Sequence, residues 1–204
     1  MIKNIVFDFG DVFINLEKSA TIRELMKLGV LEVTKEMIDT YQSYEVGGIS
    51  TEEFVSRFTK LYPHISDQQF VDAWNAILKD FPLHRLKFLK ELNAINQFRL
   101  FLLSNTNELH ISWIQSDWGM DLYNEFKNCF EKFYLSHEIQ LRKPNVDIYE
   151  FVLQENKLKP EETFFIDDTK ENTDTAKQLG IHVWNIDPET EDIVDLRARK
   201  EFQL

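Results

Sequence analysis

Ile5-Val6-Phe7-Asp8-Phe9-Gly10-Asp11-Val12 is the stretch on which the fold turns. Its apolar run, Ile5 to Phe7, shows no polar alternation, the pattern of a strand buried on both faces in a parallel sheet. Asp8 follows at once and stands at that strand's carboxyl end, the edge of an open α/β sheet where ligands collect. A carboxylate there is either a ligand-handling group or a solvated turn residue. The run alone does not choose between them.

Four later runs resemble the first: Leu100 to Leu103, Lys132 to Leu135, Thr163 to Ile166 and His182 to Ile186. Helix-length segments separate them, and strands alternating with helices are the signature of βαβ units. Asn145 to Asn156, behind Pro144 at a first helical position, and Lys170 to Leu179, closed by Gly180, are the clearest core helices. The expected class is α/β, a doubly wound, Rossmann-like parallel sheet.

One connection is too long for this pattern. The first strand ends near Asp8 and the next begins near Phe98, far beyond an ordinary crossover. The intervening sequence is helical. Ser19 stands where it would cap a helix carrying Ile22, Leu25 and Met26 and closed by Gly29; Thr34 does the same for Met37, Ile38 and Tyr41. After the Gly47-Gly48 break, Ser50 with Glu53 and Ser66 with Gln69 form two capping-box patterns. Pro82 opens a helix bearing Leu83, Leu86, Leu89 and Leu92 that returns the chain to the sheet. The expectation is a core of residues 1–14 and 81–204 carrying an inserted helical cap of residues 15–80. The charged tail after Asp187 reads as one amphipathic helix.

The chain's 204 residues, 43% hydrophobic, suffice for a sizeable core. A net charge of −12 without a Lys/Arg block argues against nucleic acid or an anionic membrane as partner. A single cysteine, Cys129, and the lack of a signal-like or membrane-length apolar run point to a cytoplasmic protein. The five histidines have neither i,i+4 pairing nor cysteine partners, so zinc is not expected.

The ends of the strands share a chemistry. The second runs into Ser104-Asn105-Thr106-Asn107 ahead of a helix, hydroxyls and backbone N–H groups suited to a phosphate. The fourth runs into Asp167-Asp168, adjacent carboxylates that repel unless a cation or hydrogen bonds offset them, and a hard divalent ion suits their oxygens. Lys143-Pro144 follows the third strand, where the helix dipole opposes a lysine.

In order along the chain, FDFGDV (7–12), FLLSN (101–105), RKPNVDIY (142–149) and FFIDDTKEN (164–172) resemble the four motifs of the haloacid dehalogenase-like (HAD) hydrolase superfamily. The resemblance implies an α/β core with a helical cap after the first strand, and an aspartate nucleophile, Asp8, that takes a phosphoryl group from a small phosphorylated metabolite. It implies Mg²⁺ held by Asp8, the Gly10 backbone carbonyl and Asp168, with Asp167 acting through water. Ser104 and Lys143 hold the phosphoryl oxygens, Asn105 adds hydrogen bonds, and Asn172 either supports the metal loop or bonds locally.

The chain departs from the family at one position. Most phosphatases of the superfamily carry a second Asp two residues after the nucleophile, and here Gly10 stands there. Loss of such acid/base help costs ~10²–10⁴-fold. Asp11 is either its substitute or a turn residue. A first motif with this glycine resembles that of sugar-1-phosphate phosphatases, whose leaving groups need protonation less. Two alternatives stay open: a metal-independent 2-haloacid dehalogenase, which leaves Asp167-Asp168 unexplained, and a catalytically silent phosphate-binding or interaction member. In the inserted segment Tyr41, Tyr44 and Glu45 either face the site or serve packing.

Overall fold

The computed structural model describes residues 1–202. Strands β1 (Asn4–Phe7), β2 (Arg99–Ser104), β3 (Lys132–Leu135), β4 (Thr163–Asp167) and β5 (His182–Asn185) form one parallel sheet in the order β3-β2-β1-β4-β5. The first strand is central, so its carboxyl end lies at the point where the strand order reverses. Residues of successive strands alternate between two apolar layers, as a period of two dictates. Ile5, Phe7, Leu100, Leu102, Phe164 and Ile166 face one layer, and Val6, Phe101, Leu103 and Phe165 the other.

Helices α5 (Leu83–Ile95), α6 (Glu108–Trp118) and α7 (Met120–Lys127) cover the first face through Leu86, Leu89, Ile114 and Phe126. Helix α8 (Ser136–Ile139) is a single turn after β3. Helices α9 (Val146–Glu155) and α10 (Lys170–Gln178) cover the second face through Ile148, Tyr149 and Ala176.

Between β1 and α5 lie helices α1 (Ala20–Lys27), α2 (Lys35–Glu45), α3 (Thr51–Leu61) and α4 (Asp67–Asn75). They bury an apolar cluster of their own, with Leu25, Tyr44, Phe54, Phe58 and Phe70 at its centre. Thr34 accepts from the Met37 N–H, and Ser66 with Gln69 completes a reciprocal capping box. Ser50 accepts from the Glu53 N–H without the return bond.

Besides the half-formed box at Ser50, four local expectations need correction. Ser19 is already in a helical conformation and makes no capping bond, because the chain has begun to coil before α1. Pro82 is extended and precedes α5 as its cap. Pro144 follows a cis peptide and lies outside α9, whose cap is Asn145. The tail folds as two short 3₁₀ segments, Ile193–Ala198 and Lys200–Phe202, whose Ile193, Leu196 and Phe202 pack on the core; its last two residues lie outside those described. No helix among the described residues is long and apolar enough to cross a membrane.

Candidate active site

Register brings the acidic strand ends together. Phe7 pairs with Leu102 on one side and Ile166 on the other. Asp8 therefore lies level with Asp167 and one residue short of Ser104, and its N–H is held by the Ile166 carbonyl at 2.8 Å. One oxygen each from Asp8, Asp167 and Asp168 falls within 4.8 Å of the others. This all-oxygen donor set suits a hard divalent cation.

The three carboxylates are not equivalent. Asp167 is fully buried and its oxygens are taken up. Thr169 N–H and Asn172 Nδ2 donate to Oδ1 at 2.8 and 2.9 Å, Asn172 also lies 3.0 Å from Oδ2, and Lys143 Nζ sits 2.6 Å from Oδ2. Asn172 thus supports the acidic loop directly. Asp168 lines the cleft above the strand ends, and Lys18 Nζ lies 2.5 Å from its Oδ2. Asp8 lines the same cleft; Lys143 Nζ is 2.8 Å from its Oδ1, and its Oδ2 has no hydrogen bond among the described residues.

Lys143 is 1% exposed, so its ammonium is bound to a fixed place between Asp8 and Asp167. Burial works against its charge, but Asp167 and Asp8 outweigh that and hold its pKa above the ordinary lysine range. Burial raises the Asp8 pKa, Lys143 pulls it down, and Asp167 and Asp168 add to the rise. The balance leaves the Asp8 pKa raised to about 7, and Lys143 is the group that opposes the rise. Asn105 fixes the lysine's backbone: its Nδ2 donates to the Lys143 carbonyl at 2.8 Å and its Oδ1 accepts the Lys143 N–H at 2.9 Å. The Asn105 side chain is therefore committed to positioning Lys143, a role its place in the sequence does not disclose. Ser104 is buried at the end of β2, is not among the cleft-lining residues, and its hydroxyl makes no hydrogen bond among the described residues.

Gly10 lines the cleft, and a Cβ there would meet Leu16 Cδ1 at 2.6 Å. Leu16 occupies the space a longer side chain would use. Asp11, with a left-handed φ of 54°, turns its carboxylate away into the loop: Oδ1 accepts the Leu16 N–H at 2.9 Å and Oδ2 pairs with Lys18 at 2.9 Å. It does not line the cleft, so its part is that of a turn residue.

The cleft encloses about 330 Å³, at the lower end of the range for small-molecule sites. Its far wall comes from the helices between β1 and α5. Tyr41 and Glu45 of α2 line it, whereas Tyr44 is buried in packing and bonds Thr51 and the Leu109 N–H. Tyr41 donates to Glu45 Oε2, and Arg142 Nε lies 2.5 Å from Glu45 Oε1. Burial and the nearby Glu45 charge push the Tyr41 phenol upward, so it remains a donor. Sequence reading passed over Arg142 and Lys18, because their partners are brought to them only by the fold.

His110 and Asn107 complete this wall. Asn107 Oδ1 caps α6 through the His110 N–H, and Asn107 Nδ2 lies 3.2 Å from His110 Nδ1. His110 Nε2 faces the Trp74 carbonyl at 3.4 Å, so a proton on Nε2 satisfies both contacts. Burial lowers its pKa to about 4, and the ring is neutral.

The haloacid dehalogenase-like hydrolase family model matches residues 5–186. The chain is 28% identical to D-ribitol-5-phosphate phosphatase of Bacteroides thetaiotaomicron over 190 residues, 90% of this chain and 91% of that protein. A HAD family enzyme of B. thetaiotaomicron, crystallised with magnesium and inorganic phosphate, superposes with a TM-score of 0.83 at 32% identity, covering 96% of this chain and 99% of the other. A HAD-like family hydrolase from Porphyromonas gingivalis gives 0.85 at 33% identity, covering 98% and 97%. Sheet order, the carboxylates on adjacent strand ends and these similarities agree: the chain belongs to the haloacid dehalogenase-like hydrolases.

Proposed function

We propose that this hydrolase is a Mg²⁺-dependent phosphatase of a small phosphorylated metabolite, a sugar or polyol phosphate, and that it works through an aspartyl-phosphate on Asp8. The observation that carries this reading is the buried Lys143 ammonium set between Asp8 and Asp167, with Asp168 beside them. Support comes also from the similar protein named as a ribitol phosphate phosphatase and from the related enzyme crystallised with magnesium and phosphate. A metal-free dehalogenase gives the three clustered carboxylates no task.

In this reading Asp8 and Asp168, with the Gly10 carbonyl, hold Mg²⁺, and Asp167 acts from behind them. When bound, the ion supplies positive charge that offsets the phosphate and polarises its oxygens. Asp8 attacks phosphorus through an oxygen, and the bond from phosphorus to the leaving oxygen breaks. Lys143 opposes the rise in the Asp8 pKa and, lining the cleft, receives the phosphoryl oxygens. Asn105 holds Lys143 in register. Water then attacks the phosphorus of the aspartyl-phosphate and returns Asp8 as a carboxylate, and the proton this water loses balances the one the leaving oxygen takes from solvent.

Gly10 offers no proton to the leaving oxygen, so among sugar and polyol phosphates turnover is faster for those whose leaving oxygen departs as a weaker base. Sugar 1-phosphates have this property. The test is phosphate release from a panel of sugar phosphates, polyol phosphates, nucleotides and phosphorylated amino acids, with and without Mg²⁺. Hydrolysis that EDTA removes is expected. EDTA-insensitive chloride release from a 2-haloacid, or no hydrolysis across the panel, would overturn the proposal.

A further inference from the structure

We infer that Arg142, clamped by Glu45, reads the leaving group and selects a neutral polyhydroxylated one over one carrying a second anion. The inference rests on the phosphatase reading above. Arg142 follows α8 in the sheet-bearing part of the chain, and Glu45 ends α2, so the pair joins the two walls of the cleft. Glu45 is 3% exposed, yet its carboxylate is bound on both sides, by Tyr41 and by Arg142 Nε. Arg142 keeps 28% of its side chain exposed, lines the cleft, and makes its hydrogen bond to Glu45 through Nε, with none from Nη1 or Nη2 among the described residues.

A guanidinium held by its Nε edge presents the remaining N–H donors as a rigid fork. Two kinds of ligand would satisfy such a fork: vicinal hydroxyls, or a carboxylate or phosphate. Charge decides between them. Glu45 already neutralises Arg142, and among the cleft-lining groups Asp8, Glu45, Asp168 and Glu171 outnumber Lys18, Arg142 and Lys143. His110 adds no charge. A divalent cation and a phosphate dianion offset each other, which leaves no surplus positive charge for a second anion. Hydroxyl groups need none.

The wall is also held in a fixed place. Ser136 Oγ lies 2.7 Å from the Glu45 carbonyl and 2.9 Å from that of Thr106, sharing one proton between them. Gly47 approaches so closely that a Cβ would fall 2.2 Å from the His137 carbonyl oxygen. Glu45 is therefore a positioning residue, and Arg142 is the one that meets substrate.

The experiment compares kcat and KM of the wild type, Arg142→Gln, Arg142→Lys and Glu45→Gln on a pentitol phosphate, on 3-phosphoglycerate and on p-nitrophenyl phosphate. The wild type should favour the pentitol phosphate over 3-phosphoglycerate by kcat/KM. Arg142→Gln and Arg142→Lys should each lower kcat/KM on the pentitol phosphate at least tenfold more than on the aryl phosphate, mainly through KM. Glu45→Gln should shift the same ratio by a smaller factor, with circular dichroism verifying the fold of each variant. Equal losses on all substrates, full selectivity in Arg142→Lys, or a wild-type preference for 3-phosphoglycerate would overturn the inference and leave the phosphatase reading standing. If the wild type hydrolyses none of these phosphates, it is the phosphatase reading that falls.

Discussion

Lys143 Nζ lies 2.6 Å from Asp167 Oδ2, with both side chains withdrawn from solvent. The pair underlies the site, because the same ammonium reaches Asp8. Removing one partner of a buried ion pair typically costs about 3–5 kcal/mol, since the other charge is left uncompensated. Lys143→Met should therefore destabilise the metal-free protein strongly in urea unfolding and lower kcat by about 10²–10³-fold. Asp167→Asn should cost less alone, and a double-mutant cycle should give a coupling well above the ~0.5 kcal/mol of independent sites. Additive effects would show that the contact does not organise the site.

Gly10 and Leu16 form a second linked pair. Leu16 Cδ1 fills the space beside Gly10, and as the end of a flexible side chain it can rotate aside. Gly10→Asp should then restore a proton donor and raise turnover of alkyl phosphates relative to aryl or anomeric phosphates, by up to ~10²-fold for a well-placed acid. The check is the ratio of kcat/KM between an alkyl and an aryl phosphate. An unchanged ratio would remove the leaving-group argument.

The strands were legible because a parallel sheet buries both faces, and uninterrupted runs such as Leu100 to Leu103 are shorter than a buried helix and are set apart by helix-length segments. Asp8, Asp167 and Asp168 were legible for a related reason: each terminates such a run, and the sheet alone brings the runs side by side. Contacts across the cleft were not. Arg142 meets Glu45 across 97 residues of sequence, and no local pattern marks either partner. The sequence places the Asn105 side chain as a phosphate donor, whereas the fold spends it on the Lys143 backbone. The tail misled because its apolar residues suited an amphipathic helix, whereas Ile193, Leu196 and Phe202 reach the core from short 3₁₀ turns.

Gly47 is held by two constraints at once, a φ of 66° and the His137 carbonyl against its α-carbon. Gly47→Ala should destabilise the protein by more than about 1 kcal/mol, because the alanine is strained in the left-handed region and collides with backbone. Gly48 has no left-handed φ, and a Cβ there would meet the Ser43 hydroxyl at 2.9 Å and the Ser43 carbonyl oxygen at 3.1 Å. Thermal unfolding should rank Gly47→Ala as less stable than Gly48→Ala.

His110 gives a pH dependence of definite sign. Its folded pKa is lowered from 6.5 to about 4, so between those values the unfolded chain binds more protons than the folded one. Stability from this residue is therefore fully present above about pH 6.5 and lost as pH falls toward 4. His110→Gln should flatten that slope when unfolding free energies are compared at about pH 4.5 and pH 7. In the wild type, imidazole ¹⁵N shifts should report a neutral ring with its proton on Nε2 down to about pH 5.

The covalent role of Asp8 is the centre of the account, and acid-quenching the enzyme during turnover of a phosphate substrate with Mg²⁺ tests it most directly. Borohydride reduction of the quenched protein converts an acyl phosphate to an alcohol, and peptide mass spectrometry then locates it. The account predicts a reduced carboxyl at Asp8, absent without substrate and absent in Asp8→Asn, which should also lose turnover. Reduction at Asp11 or Asp168 instead, or undiminished turnover in Asp8→Asn, would contradict it.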